Sequence, residues 1–162
     1  MLAIACFDVG FALGSTAGTS VAVSGMSAPA QTVLAFDFGL KRTGVALGNT
    51  LTGGARPLLT IETAENARRF ERIAAIVAEW KPDLLVVGLP FDEAGGDTPM
   101  VRRARRFGHQ LGGRFGLPVK FVNERYSSAV AEDAIRPRKS DKAAVDSAAA
   151  AVILQAWLDQ RT

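Results

Sequence analysis

Two short apolar runs, separated by only three residues, constrain this chain more than any other feature. Residues 32–38 (TVLAFDF) and 42–48 (RTGVALG) each have the length of a strand, joined by Gly39-Leu40-Lys41. So short a connection forces the two strands to run antiparallel. The first run also carries an acid, Asp37, just before the turn. A carboxylate in an apolar strand costs desolvation unless it is paired, holds a cation or caps its own turn.

Beyond the hairpin the pattern changes period. Residues 57–61 fit an edge strand, where Pro57 is tolerated. Residues 64–80 carry Phe70, Ile73, Ala74, Val77 and Trp80 at helical spacing, and Lys81-Pro82-Asp83 stops the helix. A continuous apolar strand is expected at 84–87, a helix at 98–115 and a last strand at 119–122. A short helix at 127–135 and a long one at 141–160 follow. Strands joined through helices form parallel crossovers, so the expected class is α/β: a mixed five-stranded sheet flanked by helices.

The chain of 162 residues suits a single domain, here residues 32–162. Residues 1–31 fit an N-terminal extension, disordered or arising from an upstream start codon, with an extra strand or cap as the alternative. The first 25 residues are rich in Gly, Ala, Ser and Thr. They contain no Lys or Arg, and so lack the positive region of a secretory signal. No stretch is apolar for long enough to span a bilayer as a helix.

Cys6 is the single cysteine and His109 the single histidine. That excludes an internal disulfide framework and argues against a structural zinc site or a histidine-based triad. A bound metal would need oxygen ligands, which points to Mg²⁺ or Mn²⁺. The net charge of +3 suits an anionic partner.

Two further acids share the placement of Asp37. Glu124 follows the last strand, with pairing to Arg125 as its simpler role. Asp146 opens the long helix, on the side of Ala149, Ala150, Ile153 and Trp157, with Ala144, Ala148, Ala151 and Gln155 opposite. Three acids on two strand ends and one helix start could converge at one end of the sheet. Such a cluster repels itself without cations. Two Mg²⁺ ions bridged there would activate a water and stabilise the leaving oxygen of a phosphoryl displacement.

Basic residues surround these positions. Lys41 and Arg42 follow Asp37, and Arg125 follows Glu124. Arg136, Arg138, Lys139 and Lys142 precede the Asp146 helix. On the second helix Arg102, Arg103, Arg105, Arg106 and His109 fall on one arc, opposite Val101, Ala104, Phe107 and Leu111. Such an arc is a solvated face or a ridge that tracks phosphates. The nucleic-acid contacts expected are Lys41, Arg42, Arg102, Arg105, Arg106, Arg125, Arg138 and Lys139.

The segments LAFDFGLKRTGVALG, LTGGARPL, LLVVGLPFDEAGG, NERYSS and VDSAAAAVILQAWL, in this order and spacing, resemble the YqgF family, also called RuvX. These are Holliday-junction-resolvase-like proteins described as nucleases of pre-16S rRNA. The resemblance runs over residues 32–160. It implies an RNase H-like fold, a cytoplasmic hydrolase acting in ribosome biogenesis, and Asp37, Glu124 and Asp146 as catalytic, metal-binding acids. The family usually has an acid before the glutamate; here that residue is Asn123, expected on the opposite face of the strand. Phe7-Asp8-Val9-Gly10 imitates the Asp37 motif but lacks the basic turn. The competing classes are a resolvase of branched DNA, a non-catalytic RNA-binding assembly factor and an actin-like phosphate-binding ATPase. The last would need a second domain, and no Walker loop is present. Neither a monomer nor a homodimer is favoured.

Overall fold

The computed structural model describes residues 28–90, 95–124 and 141–161. The extension through residue 27, the expected helix at 127–135, and Arg125, Arg138 and Lys139 therefore lie outside the described residues.

Strands β1 (Thr32–Phe38), β2 (Arg42–Asn49) and β3 (Gly54–Glu62) form an antiparallel meander. Helix α1 (Asn66–Trp80) leads to β4 (Leu84–Leu89), and α2 (Pro99–Phe115) leads to β5 (Val119–Asn123). Helix α3 (Lys142–Asp159) closes the described chain. The strand order is β3-β2-β1-β4-β5, with β4 parallel to both β1 and β5. The mixed five-stranded sheet expected from the sequence is thus present. β3 lies at one edge as expected, although it begins before Pro57. Between Val45 and Ala46 the register skips Leu58, so Pro57 sits at a bulge, where a missing N–H disrupts little.

The caps agree with the sequence. The Thr98 side chain accepts from the Val101 N–H and Asp141 from the Ala144 N–H. Lys81, in left-handed conformation at φ 45°, ends α1. The buried stripe of α1 is rotated from the expected one: Arg69, Phe70, Ile73 and Ile76 are buried, whereas Ala74 is exposed. No helix among the described residues is long and apolar enough to cross a membrane.

The alternation of side chains along each strand splits the core in two. Leu34, Phe36, Val45, Ile61, Val87 and Phe121 face α1 and α2, packing on Phe70, Ile73, Phe107 and Leu111. Val33, Ala35, Ala46, Val86 and Val122 face α3, packing on Ile153, Leu154 and Trp157. On this second side β2 presents Gly44, Ala46 and Gly48 in succession, a groove without bulk. A Cβ on Gly44 would fall on the Asp146 carbonyl, and one on Gly48 would come within 2.9 Å of Leu154. The α3 backbone therefore lies close against β2. This corrects the expected wheel: Ala148 and Ala151 are buried along with Ala150, because the helix sinks into the groove. Gln155, expected on the outer side, ties the β2–β3 turn, accepting from the Ala55 N–H and donating to the Gly53 carbonyl.

Candidate active site

Asp37 is the last inward residue of β1 on the α3 side, in register with Gly44 of β2. On its other flank, the Phe36–Val87 pairing puts it beside Gly88 of β4. Gly88 pairs with Val122 of β5, two residues before Glu124. Asp37 and Glu124 are thus a full strand apart, and only the lack of a side chain at Gly88 leaves room for them to meet. A Cβ on Gly88 would lie 3.4 Å from Glu124 Oε1 and 2.5 Å from Ile153 Cδ1. Across that gap the two carboxyls share a hydrogen bond. Gly88 is a position of the candidate site that the sequence reading missed. Its signal was a glycine closing an apolar strand between two acid-bearing ones.

Asp146 approaches from above. Its backbone rests on Gly44, and its negative charge is felt by Asp37. Its carboxylate turns toward Arg42, whose Nε lies 2.8 Å from Oδ2. The N–H does not point along that line, so Oδ2 is buried in an ion pair yet accepts no hydrogen bond. Arg42, expected at the substrate, is therefore engaged with an acid, while Lys41 is exposed at the turn.

The electrostatics follow from the crowding. Burial first, then the charges of Glu124 and Asp146, push the Asp37 carboxyl up to about 7. Burial also raises Glu124, while the hydrogen bond from Asp37 works the other way. Together the two carboxyls hold a proton more firmly than an isolated carboxylate would. The three acids have divided: two share a proton and the third takes an arginine. Accordingly, no three Asp, Glu, His or Cys side chains among the described residues are gathered closely enough to hold an ion as they stand. A proton and a guanidinium occupy the places that a cation would take. An all-oxygen donor set, an acid protonated near neutral pH and a buried oxygen without a hydrogen bond fit a hard divalent cation.

Asn123 lies on the other side of β5 by alternation, with Phe121 and Val119, which pack toward α1 and α2. The basic arc of α2 is as expected. Val101, Ala104, Phe107 and Leu111 are buried, and Arg102, Arg103, Arg105, Arg106 and His109 are exposed. Arg102 is partly neutralised by Asp97 at 3.5 Å.

This chain is similar to two curated proteins named "Putative pre-16S rRNA nuclease". The one from Paraburkholderia phytofirmans is 51% identical over 137 residues, covering 83% of this chain and 94% of that one. The one from Burkholderia cenocepacia is 51% identical over 142 residues, covering 85% and 95%. Among solved structures, Thermus thermophilus RuvC in complex with a Holliday junction substrate matches with a TM-score of 0.56 at 15% identity, covering 80% of this chain and 94% of that one. The yeast mitochondrial Holliday junction resolvase matches with a TM-score of 0.50 at 10% identity, covering 78% and 77%. At such identities the likeness shows the fold alone, which is the RNase H-like fold of the RuvC type. The family model described as "RuvX: Holliday junction resolvase" matches residues 31–160, and the chain belongs to the RuvX family.

Proposed function

We propose that this chain is a divalent-metal-dependent nuclease that processes the 5′ end of pre-16S rRNA in the cytoplasm, with Asp37, Glu124 and Asp146 as its catalytic and metal-holding acids. The observation that carries the reading is the meeting of Asp37 and Glu124 across Gly88, with Asp146 pressed in from α3. Nothing in folding stability favours such an arrangement, since carboxylates driven together in a buried place destabilise one another. Mg²⁺ or Mn²⁺ bound by the three acids would supply positive charge to the attacking water and the leaving oxygen of an in-line phosphoryl displacement.

The chain's own residues set the stage for that chemistry. Gly88 keeps the gap open, and Gly44 lets α3 bring Asp146 down. Arg42 holds Asp146 until a cation competes for it. Lys41, Arg105 and Arg106 are exposed cations suited to phosphate, and Arg125, Arg138 and Lys139 belong to the same proposed contact set. Because Asn123 faces the other side of the sheet, its departure from the usual acid removes no ligand from the cluster. Residues 1–25 are taken to be dispensable for this activity.

The relatives that cover the chain at half identity carry an RNA name, whereas the branched-DNA reading is supported by the description of the family model and by structures at 15% identity or below. Precursor rRNA is therefore the preferred substrate over a four-way DNA junction. In Mg²⁺ or Mn²⁺ the purified protein should cleave precursor rRNA, and Asp37→Asn should abolish cleavage. Cleavage of the junction alone would move the substrate to branched DNA. Equal cleavage by wild type and Asp37→Asn would remove the acids from the mechanism.

A further inference from the structure

Arg69 is the largest fully buried side chain among the described residues, at 2% exposure, and no carboxylate among them pairs with it. Its Nη2 donates to the carbonyls of Gly39 at 3.2 Å, Leu40 at 2.7 Å and Thr63 at 2.9 Å. Its Nη1 donates to Asn66 Oδ1 at 3.0 Å, and Nε has no partner. The guanidinium lies over the Phe38 ring, 4.9 Å from its centroid. Carbonyl dipoles soften the charge without cancelling it, and a buried, unpaired guanidinium is costly. Part of its task is to clamp the β1–β2 turn. The charge is nevertheless not cancelled, and an anion beside it would feel its field.

Beside it is a cleft of about 300 Å³ between that turn and α2, lined by Phe38, Leu40, Asn66, Arg69, Arg103 and Arg106 among others. No described residue lining it is an acid. The neighbouring cleft on α2 contrasts with this, because Asp97 lines it and already engages Arg102. Arg103 and Arg106 are exposed, with no carboxylate partner among the described residues. The floor is aromatic, with Phe38 stacked on Phe107 at 4.7 Å, and Leu40, 51% exposed, adds an apolar edge. Three guanidinium groups around an apolar floor match a phosphodiester with its sugar or base laid on the floor.

The position matches as well. Alternation along β1 sends Asp37 to the α3 side and Phe38 to the α1/α2 side, so the acids and the cleft lie back to back across the end of one strand. A strand leaving the acids over the turn would pass the exposed Lys41 and reach the cleft.

We propose that the Arg69–Arg103–Arg106 cleft binds a backbone phosphate of the substrate RNA, flanking the one held at the acids. The identification of that strand rests on the nuclease reading; the anion site itself does not.

The test is fluorescence anisotropy of a labelled single-stranded RNA of about ten nucleotides, titrated in EDTA at several salt concentrations. Arg103→Gln and Arg106→Gln should each weaken binding about fivefold at moderate salt. Each should also flatten the dependence of log affinity on log salt by about 0.7. Arg161→Gln makes the same change of charge at an exposed position beyond the C-terminus of α3, on the other side of the sheet from the cleft, and should shift affinity less than twofold. Equal losses in all three variants would show a diffuse field in place of a site and overturn the proposal. So would unchanged binding in Arg103→Gln and Arg106→Gln. Displacement of the RNA by 5′-AMP at comparable concentration would identify a free nucleotide as the ligand, also overturning it. The titration contains no metal and no turnover, so failure of the acid cluster leaves it unmoved. Failure of the cleft likewise leaves the Asp37→Asn cleavage assay intact.

Discussion

The two faces of the sheet are built on opposite rules. Toward α1 and α2 the strands present bulk: Phe36, Phe38 and Phe70 surround Phe107, with ring centroids 4.7–5.9 Å from it. Toward α3 they present absence. Gly44, Gly48 and Gly88 bear no side chain, and the α3 surface meeting them begins with Ser147, Ala148, Ala150 and Ala151. Aromatic packing holds the first face by area removed from water. The second gives up area so that a helix and three carboxylates can come close. A single strand serves both, with Phe36 and Phe38 to one side and Asp37 between them to the other. The lesson is that the site is defined by side chains left out as much as by those present.

The contrast can be broken from either side. Phe107→Ala empties the aromatic face and should cost about 3–5 kcal/mol, seen as a large fall in denaturant midpoint. Cleavage per folded molecule at saturating RNA should change little, since the acids lie across the sheet, and a disturbed cleft floor should show only as a higher RNA concentration needed for saturation. Gly44→Ala is smaller chemically and should cost about 3 kcal/mol, because its Cβ meets backbone that cannot rotate away. Unlike Phe107→Ala, it should also reduce cleavage by the molecules that remain folded, as α3 is lifted and Asp146 with it. Equal activity in the two folded variants would dissolve the distinction between the faces.

The pH dependence sharpens it. The fold holds the Asp37 proton up to about 7, whereas the unfolded chain releases it in the ordinary carboxylate range. Between those limits the native state binds more protons than the unfolded one, so stability falls as pH rises. The full displacement on one group would be worth about 4 kcal/mol; sharing with Glu124 and residual solvent contact bring the expected loss to the order of 2 kcal/mol. Thermal melts in EDTA should therefore be lower at pH 8 than at pH 5. Asp37→Asn should flatten that difference and raise the melting temperature at pH 8. An unchanged difference in Asp37→Asn would locate the proton elsewhere.

The smallest effect is expected at Asn123. Restoring an acid with Asn123→Asp puts the charge on the α1/α2 side, away from the cluster, and should alter the cleavage rate less than twofold. A large gain would mean that this position reaches the acids after all.

Much of this was legible in the residues, for identifiable reasons. The hairpin followed from the three-residue connection, and the α2 faces followed from the spacing of its apolar residues. Asp37 and Glu124 stood out because each ends a strand, where alternation fixes the side it faces. What escaped detection depended on contacts between distant segments. The pairing of Arg42 with Asp146 joins β2 to α3, and no periodicity encodes it. The depth of α3 depends on Gly44 and Gly48 of another element, so a wheel drawn from the helix alone placed Ala148 and Ala151 outside. Arg69 carried a signal that was passed over: it precedes Ile73 and Ile76 by four and seven residues, a charged residue on the buried stripe.

The most direct measurement is anomalous diffraction from a crystal soaked in Mn²⁺ near pH 8. The account predicts density bonded to Asp37, Glu124 and Asp146, with Asp146 drawn off Arg42. A well-ordered cluster with no metal density, and Asp146 still on Arg42, would contradict it.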